Sequence, residues 1–384
     1  MLTVITCDTY EPAVVDAAVE RIFQQYGGIS AFARADQRVC IKPNLLMPRK
    51  PEDATTTHPS VVAAVAKLFI AHGCTVEIAD SCGGPYNAVT SKVLYKRTGM
   101  TQVAEETGAV IRYDSQSMAR EIPLAAGGSR KFNIIQPIVD ADVIINIAKL
   151  KTHGLGHYTG TVKNMFGVVA GLQKAKGHAA FKSRQEFFAC LVDLYQVVTP
   201  QFNIIDGIVG MEGNGPSGGT PKAANVLLGG INGHTLDKLA VWLVQLDERK
   251  VYTIAEAHDR GLIQKSINDL GDDVFIVPQT TNIPLANLRT AFRPPSTDKG
   301  LSIALRALLP RRLRERLRDR SMRYPKVIDE KCTGCGNCIR ICPENAILRI
   351  GDDTLGVPRV LREKCIRCLC CHEVCPPKAM ELVR

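Results

Sequence analysis

The 384-residue sequence predicts an α/β protein, with a large N-terminal domain on a mainly parallel sheet and a small C-terminal α+β module. Three observations carry this. Over the first 300 residues, short runs rich in β-branched residues alternate with helical stretches, as in a sheet covered by helices. The last 60 residues hold a cysteine-rich run that repeats at a 33-residue offset. Between the two, Pro294-Pro295-Ser296 marks an exit and an arginine-rich segment follows.

Strands are expected at 2–6, 38–42, 75–80, 109–113, 143–147, 202–206, 225–228 and 274–277, with helices at 13–25, 61–72, 184–198 and 236–246. The second helix closes on His72-Gly73, a helix-ending pair. Domain limits follow at 1–295 for the α/β domain, 296–324 for a linker helix and 325–384 for the module. The linker places Arg311, Arg312, Arg314, Arg316, Arg318 and Arg320 around Leu313 and Leu317. It reads as a solvated helix, with docking to an acidic partner or an anionic membrane as the alternative.

Composition narrows the classes. A hydrophobic share of 45% and a charged share of 22% are globular values, which excludes disordered, collagenous and coiled-coil chains. The most apolar stretch, 61–71, is broken by Lys67 and falls short of the ~20 residues that span a bilayer. The N-terminus lacks the basic and long apolar regions of a signal peptide, so a cytoplasmic protein is expected. The net charge of +10 suggests nucleic acid until it is apportioned. Residues 301–324 hold eight arginines against two acidic residues, and aromatics make up only 5% of the chain. A nucleic-acid surface needs a broader basic face with stacking rings.

Of the 14 cysteines, eight fall into two runs of Cys-x2-Cys-x2-Cys-x3-Cys-Pro. Four thiolates hold a 4Fe–4S cube, and this spacing wraps a tight loop around three corners. Zinc, the alternative, needs only four thiolates in two separated pairs, which two identical four-cysteine runs disfavour. The segment closely resembles the duplicated bacterial ferredoxin pattern, in which each fourth cysteine serves the other cluster. The resemblance implies a ferredoxin-like module with two [4Fe–4S] clusters. One is on Cys332, Cys335, Cys338 and Cys375, and the second on Cys342, Cys365, Cys368 and Cys371. Cys370 has no place in the pattern and reads as a buried bystander.

In open α/β sheets, ligands sit at the carboxyl ends of the strands. The loops expected there are rich in polar residues. They are Lys42 to Leu46 with Asn44, then Asp80-Ser81-Cys82, then Lys149-Leu150-Lys151-Thr152-His153 running through Lys163 and Asn164 to His178, and Asp206 to Asn214 with Glu212. In this order Lys-Pro-Asn-Leu-Leu, Thr-His-Pro, Asp-Ser, Lys-x-Lys-Thr-His, Lys-Asn-x-Phe-Gly and Asp-Gly-Ile-x2-Met-Glu-Gly-x-Gly-Pro resemble the domain of unknown function 362 family over about residues 1–280. Members similar to this chain often carry a C-terminal ferredoxin module. The resemblance implies an iron–sulfur protein with a small-molecule site and fixes no reaction.

The residue types suggest what that site does. Four lysines and two histidines without aromatics suit a carboxylate, a phosphate or an enolate-like intermediate. Lys163, His153, Lys151, His178 and Asp206 are the catalytic candidates. Lys42, Asn44, Asp80, Ser81, Lys149, Asn164, Glu212 and Asn214 are the substrate-binding candidates. Gly213 to Gly218 fits the dinucleotide spacing, but Pro216 and Pro221 flank it and no helix follows. No P-loop is present, and neither NAD nor flavin is indicated.

Three functions compete. The first is a reductase that takes electrons from a donor protein (ferredoxin, flavodoxin or an oxidoreductase) and passes them to a small anionic substrate. The others are an electron-transfer adaptor of a larger redox complex, and a metal-centre assembly or carrier protein using Cys82, His153 and His157.

Overall fold

A computed structural model describes residues 1–181, 183–263, 274–277, 284–296, 323–349 and 356–383. The main sheet contains β1 (Leu2–Thr6), β2 (Arg38–Pro43), β3 (Thr75–Ile78), β6 (Val143–His153), β7 (His157–Thr159), β8 (Phe202–Glu212), β9 (Thr220–Gly230) and β10 (Val274–Val277). Its order is β10-β1-β9-β8-β6-β2-β3, with β7 hairpinned onto β6. Pairings β1–β10, β2–β3, β2–β6 and β6–β8 are parallel, and β9 runs against both of its neighbours. The sheet is therefore mainly parallel, as predicted.

Helices α1 (Pro12–Gln24), α2 (Pro59–Ala71), α3 (Ala88–Arg97) and α4 (Met100–Thr107) cover one face. There Val15, Ile22, Val65 and Phe69 pack on Ile41, Ile145 and Ile204. The other face carries a hairpin of β4 (Ser117–Pro123) and β5 (Ser129–Ile135), then short α5 (Gln136–Asp140), α6 (Thr161–Asn164) and α7 (Gln173–Ala179). Helices α8 (Arg184–Val198), α9 (Gly233–Leu243) and α10 (Tyr252–Asp259) complete that layer.

Four sequence expectations change. The strand expected at 109–113 reduces to one bridge, Val110 to Glu77, because Arg112 turns out to pair with Glu77 and Asp140. The β4–β5 hairpin was not foreseen. Most importantly, Lys149–His153 and Asp206–Glu212 are not loops. They are the ends of the long strands β6 and β8, and on β6 Lys149 is buried and paired with Asp206 while Lys151 is buried and hydrogen-bonded. The run from His157 to His178, expected as a glycine-rich loop, folds into β7, α6, a 3-10 turn and α7. The arginines of the linker lie outside the described residues.

The C-terminal module has β11 (Tyr324–Val327) paired with β14 (Met380–Val383), and β12 (Ile347–Arg349) with β13 (Pro358–Val360). One-turn helices α11 (Asn337–Ile341) and α12 (Cys370–Glu373) follow the two cysteine loops. The 33-residue repeat is written into the backbone. Gly334 (φ 66°), Gly336 (72°) and Asn345 (49°) match Arg367 (57°), Leu369 (64°) and Lys378 (53°), all in the left-handed region. The amides of Ala346 and Ala379 likewise donate to Cys342 Sγ and Cys375 Sγ, each at 3.2 Å.

Candidate functional site

The site forms where β2, β6 and β8 end, under the segment that links β2 to α2. Three lysines on these strands are almost wholly buried. Lys42 spends its three donors on Asp80 Oδ1 (2.6 Å), the Pro43 carbonyl (2.8 Å) and Asn164 Oδ1 (3.2 Å). Lys149 bonds Asp206 Oδ2 and the Tyr10 hydroxyl, both at 2.8 Å. Lys151 has no carboxylate within bonding distance among the described residues and donates to Asn44 Oδ1 (2.6 Å) and the Thr55 carbonyl (2.5 Å). Burial lowers all three ammonium pKa values, in Lys151 most of all, because Lys163 and Lys149 repel its charge as well.

The surrounding residues fix these groups. Asp80 Oδ2 accepts the Leu45 amide at 2.7 Å, and Asn44 Nδ2 donates to Asn164 Oδ1 at 2.8 Å. A Cβ at Gly167 would overlap the Asp80 carboxylate and Lys42 Nζ, so only glycine fits there. Tyr10 donates to Asp206 Oδ1 at 2.8 Å, and its ring stacks on His58 with centroids 3.6 Å apart. Ser81 Oγ accepts Gly171 N (2.9 Å) and Lys174 Nζ (2.8 Å). Burial lowers the Lys174 pKa to about 8.

Lys163 sits on α6, a helix too short to hold itself. The carboxylate of Asp237, from α9, accepts the Thr161 amide at 2.7 Å and the Val162 amide at 3.1 Å, capping that helix. Lys163 is partly exposed, with its pKa lowered by burial against an opposing pull from Glu373. His153 is fully buried. Its Nδ1 accepts the amides of Leu155 (3.0 Å) and Gly156 (3.2 Å), so its proton is on Nε2. That Nε2 lies 3.1 Å from Glu373 Oε1. Burial lowers the pKa values of His153 and His178 to about 4, so both rings are neutral near pH 7.

Glu373 belongs to the C-terminal module, in the turn after Cys371. Sequence reasoning missed it, because nothing near it in the chain points to the lysines. The two parts interlock here. Leu369 joins the core beneath α8, and a Cβ at Gly154 would lie 3.2 Å from its Cδ1. Ala175 of α7 joins the core of the module. Arg49 donates to the Pro376 carbonyl at 2.6 Å, and Ser217 to that of His372 at 3.4 Å. Burial opposes charge on Glu373, but the facing His153, Lys163 and His178 outweigh it and hold its carboxyl below the usual carboxylate range.

The structure thus brings together Lys42, Asn44, Asp80, Lys149, Lys151, His153, Lys163, Asn164, His178 and Asp206, with Ser81 at the margin. Two candidates have other work. Glu212 is braced by Arg293, which donates from Nε (2.6 Å) and from its amide (2.8 Å), and Asn214 Oδ1 holds Ser296. Tyr10, His58, Lys174 and Asp237 were unforeseen. His234 is buried against Gln196.

The second cysteine loop lines a small cavity bounded by Cys342, Cys365, Cys368, Cys370 and Cys371. Of the remaining pattern thiols, Cys338 has its pKa pushed up to about 11 by burial and by its neighbours Cys335, Cys375 and Cys332.

The chain matches the family described as Domain of unknown function (DUF362) over residues 39–242, more than half its length. It is a DUF362 protein. Residues 324–376 match a 4Fe-4S dicluster domain, so this DUF362 chain is an iron–sulfur protein, and such a domain is consistent with electron transfer. It is 32% identical over 272 residues to "Thylakoid-associated protein sll1697" of a Synechocystis strain, covering 68% of this chain and 79% of that one. Among solved structures, it resembles the lactate racemase apoprotein of Thermoanaerobacterium thermosaccharolyticum at 16% identity and a TM-score of 0.41. That match covers 64% of this chain and 57% of the other. A protein from Thermotoga maritima gives 10% identity and a TM-score of 0.39, covering 63% and 60%. The DUF362 chain thus spans less than two thirds of either structure. Among its described residues, no helix is long and apolar enough to cross a membrane.

Two predictions arise from this packing. Lys42→Ala leaves the Asp80 carboxylate buried without its cation, and a loss of about 3–5 kcal/mol is expected. Urea unfolding measures it, and the effect should fall on stability rather than on substrate affinity alone. Acid should also destabilise the fold. His58, His153 and His234 are lowered by burial from 6.5 to about 4. The unfolded chain then binds more protons between those values, so stability is full above pH 6.5 and is lost as pH falls through 4. Each pKa unit is worth about 1.4 kcal/mol. Thermal melts should fall steeply across this window, and His153→Gln should flatten the slope.

Proposed function

We propose that this protein is a reductase that passes electrons from two [4Fe–4S] clusters to a small anionic substrate at the lysine–histidine site. One observation carries the reading: the cysteine turn 368–373 is seated on the site, with Glu373 Oε1 3.1 Å from His153 Nε2. Cys332, Cys335, Cys338 and Cys375 would hold one cluster, and Cys342, Cys365, Cys368 and Cys371 the other. The left-handed turns and the amides aimed at Cys342 and Cys375 suit such loops. When bound, the clusters supply one-electron transfer.

The chain's own side chains would do the rest. Lys163 and Lys151 bind the anionic group and stabilise charge that develops on the substrate. His153, with its proton on Nε2, and His178 hold protons at the same spot. Lys42–Asp80 and Lys149–Asp206, with Asn44 and Asn164, keep these groups in place. A donor protein would meet the module at Cys335, the exposed thiol. A reducing compartment such as the cytoplasm belongs to this reading, since the thiols must stay reduced.

The test is reoxidation. Dithionite-reduced protein, mixed anaerobically with a panel of small carboxylates and phosphate esters, should be reoxidised in single turnover by a subset of them. Reoxidation only by protein carriers would favour the adaptor.

A further inference from the structure

Three groups of the main domain converge on one carboxylate from the module. His153 Nε2 lies 3.1 Å from Glu373 Oε1, and Lys163 and His178, whose ring packs on Phe187, are within electrostatic reach of the same carboxylate. The seat is polar and dry, with the His153 ring wholly buried and the Glu373 side chain 12% exposed. The fit is incomplete. Despite the short distance, His153 Nε2 and Glu373 Oε1 are both buried without a properly directed hydrogen bond. An orphaned buried donor is costly, and native structures keep one where a ligand completes it. Lys163 has no hydrogen-bond acceptor among the described residues, although His153 Nδ1 is doubly satisfied by the backbone. The ring is held rigidly by one nitrogen, and its other nitrogen points at an imperfect guest.

We infer that His153, Lys163 and His178 form an anion seat for a carboxylate or phosphate group, and that Glu373 is its resident occupant, displaced when that ligand binds. This deepens the reading above and rests on the basic cluster being the substrate site. Glu373 is tethered to the module, so its carboxylate competes as an intramolecular anion. Free ligand meets the seat only in the fraction of molecules where Glu373 has left, and its apparent affinity drops by that fraction. Ligand binding and the seating of the 368–373 turn are thereby opposed. Without ligand, seated Glu373 keeps the turn latched, and a bound ligand releases its carboxylate from the seat.

The experiment is calorimetric titration of the cluster-loaded full chain with inorganic phosphate and, separately, acetate, at constant ionic strength. Glu373→Gln removes the competing charge at nearly the same shape and should bind both anions about tenfold more tightly than wild type. Adding Lys163→Ala should erase that gain. Visible absorbance checks that the clusters persist. If the Gln variant loses them, Glu373→Asp withdraws the carboxylate by one methylene and should give an intermediate gain. Unchanged or weaker binding in these variants overturns the inference, as does a gain that survives without Lys163. Such a failure is distinct from failure of the reductase reading, which is decided by turnover whatever the phosphate affinity.

Discussion

Replacing Lys163 with alanine is expected to lower substrate turnover by about 10²–10³-fold, the usual cost of removing one positioned charge donor. Steady-state kinetics with dithionite or a protein donor measure it, alongside the visible spectrum. Both clusters should remain present and reducible, because Lys163 lies on α6 and ligates nothing. The loss should appear in kcat and kcat/KM together, the mark of a group used in the transition state. Asp237→Asn supplies the control. It keeps the shape of the α6 cap but weakens its charge, so it should give a smaller loss by letting Lys163 wander. Full activity in Lys163→Ala would remove the lysine–histidine site from the chemistry.

The second large effect concerns iron. Anaerobically prepared protein should contain about eight iron and eight sulfide per chain, four of each per cube. Cys332→Ser and Cys365→Ser should each cost a different cluster, separable by paramagnetic resonance after partial reduction. Cys365→Ser should do more damage to turnover, because its loop continues into the turn seated on His153. Cys370→Ser should leave both spectra intact, since this buried thiol, next to Cys371, has no place in the repeat. Four iron in the native chain, or zinc without sulfide, would refute the assignment.

Much of this was legible in the sequence. The strands at 2–6, 38–42 and 274–277 and the helix at 184–198 appear at or near their expected limits, because periodicity and caps are local signals. The lysines and amides of the site could be picked out because they cluster at strand ends. What misled was their charge. A lysine normally stops a buried strand, so β6 was ended at Ile147, six residues early. It continues because Asp206 and Tyr10 on Lys149, and Asn44 and Thr55 on Lys151, replace water. Glu373, Tyr10 and Asp237 were beyond reach for another reason. Each lies 75 or more residues from its partner, and one sequence holds no record of such pairs.

The duplicated module has one further consequence, seen in its four left-handed loop positions. Its first half places glycine at 334 and 336, where that conformation is free of strain, and its second half places Arg367 and Leu369. Such a turn costs a side-chain-bearing residue roughly 1–2 kcal/mol. At Leu369 the return is visible, for this is the side chain wedged over Gly154. A glycine would relax the loop and remove this apolar grip on the neighbouring domain. The two halves have therefore ceased to be interchangeable. A chimera carrying the first loop twice would keep its ligands and lose its handle, so the ancestral symmetry has given way to a front and a back.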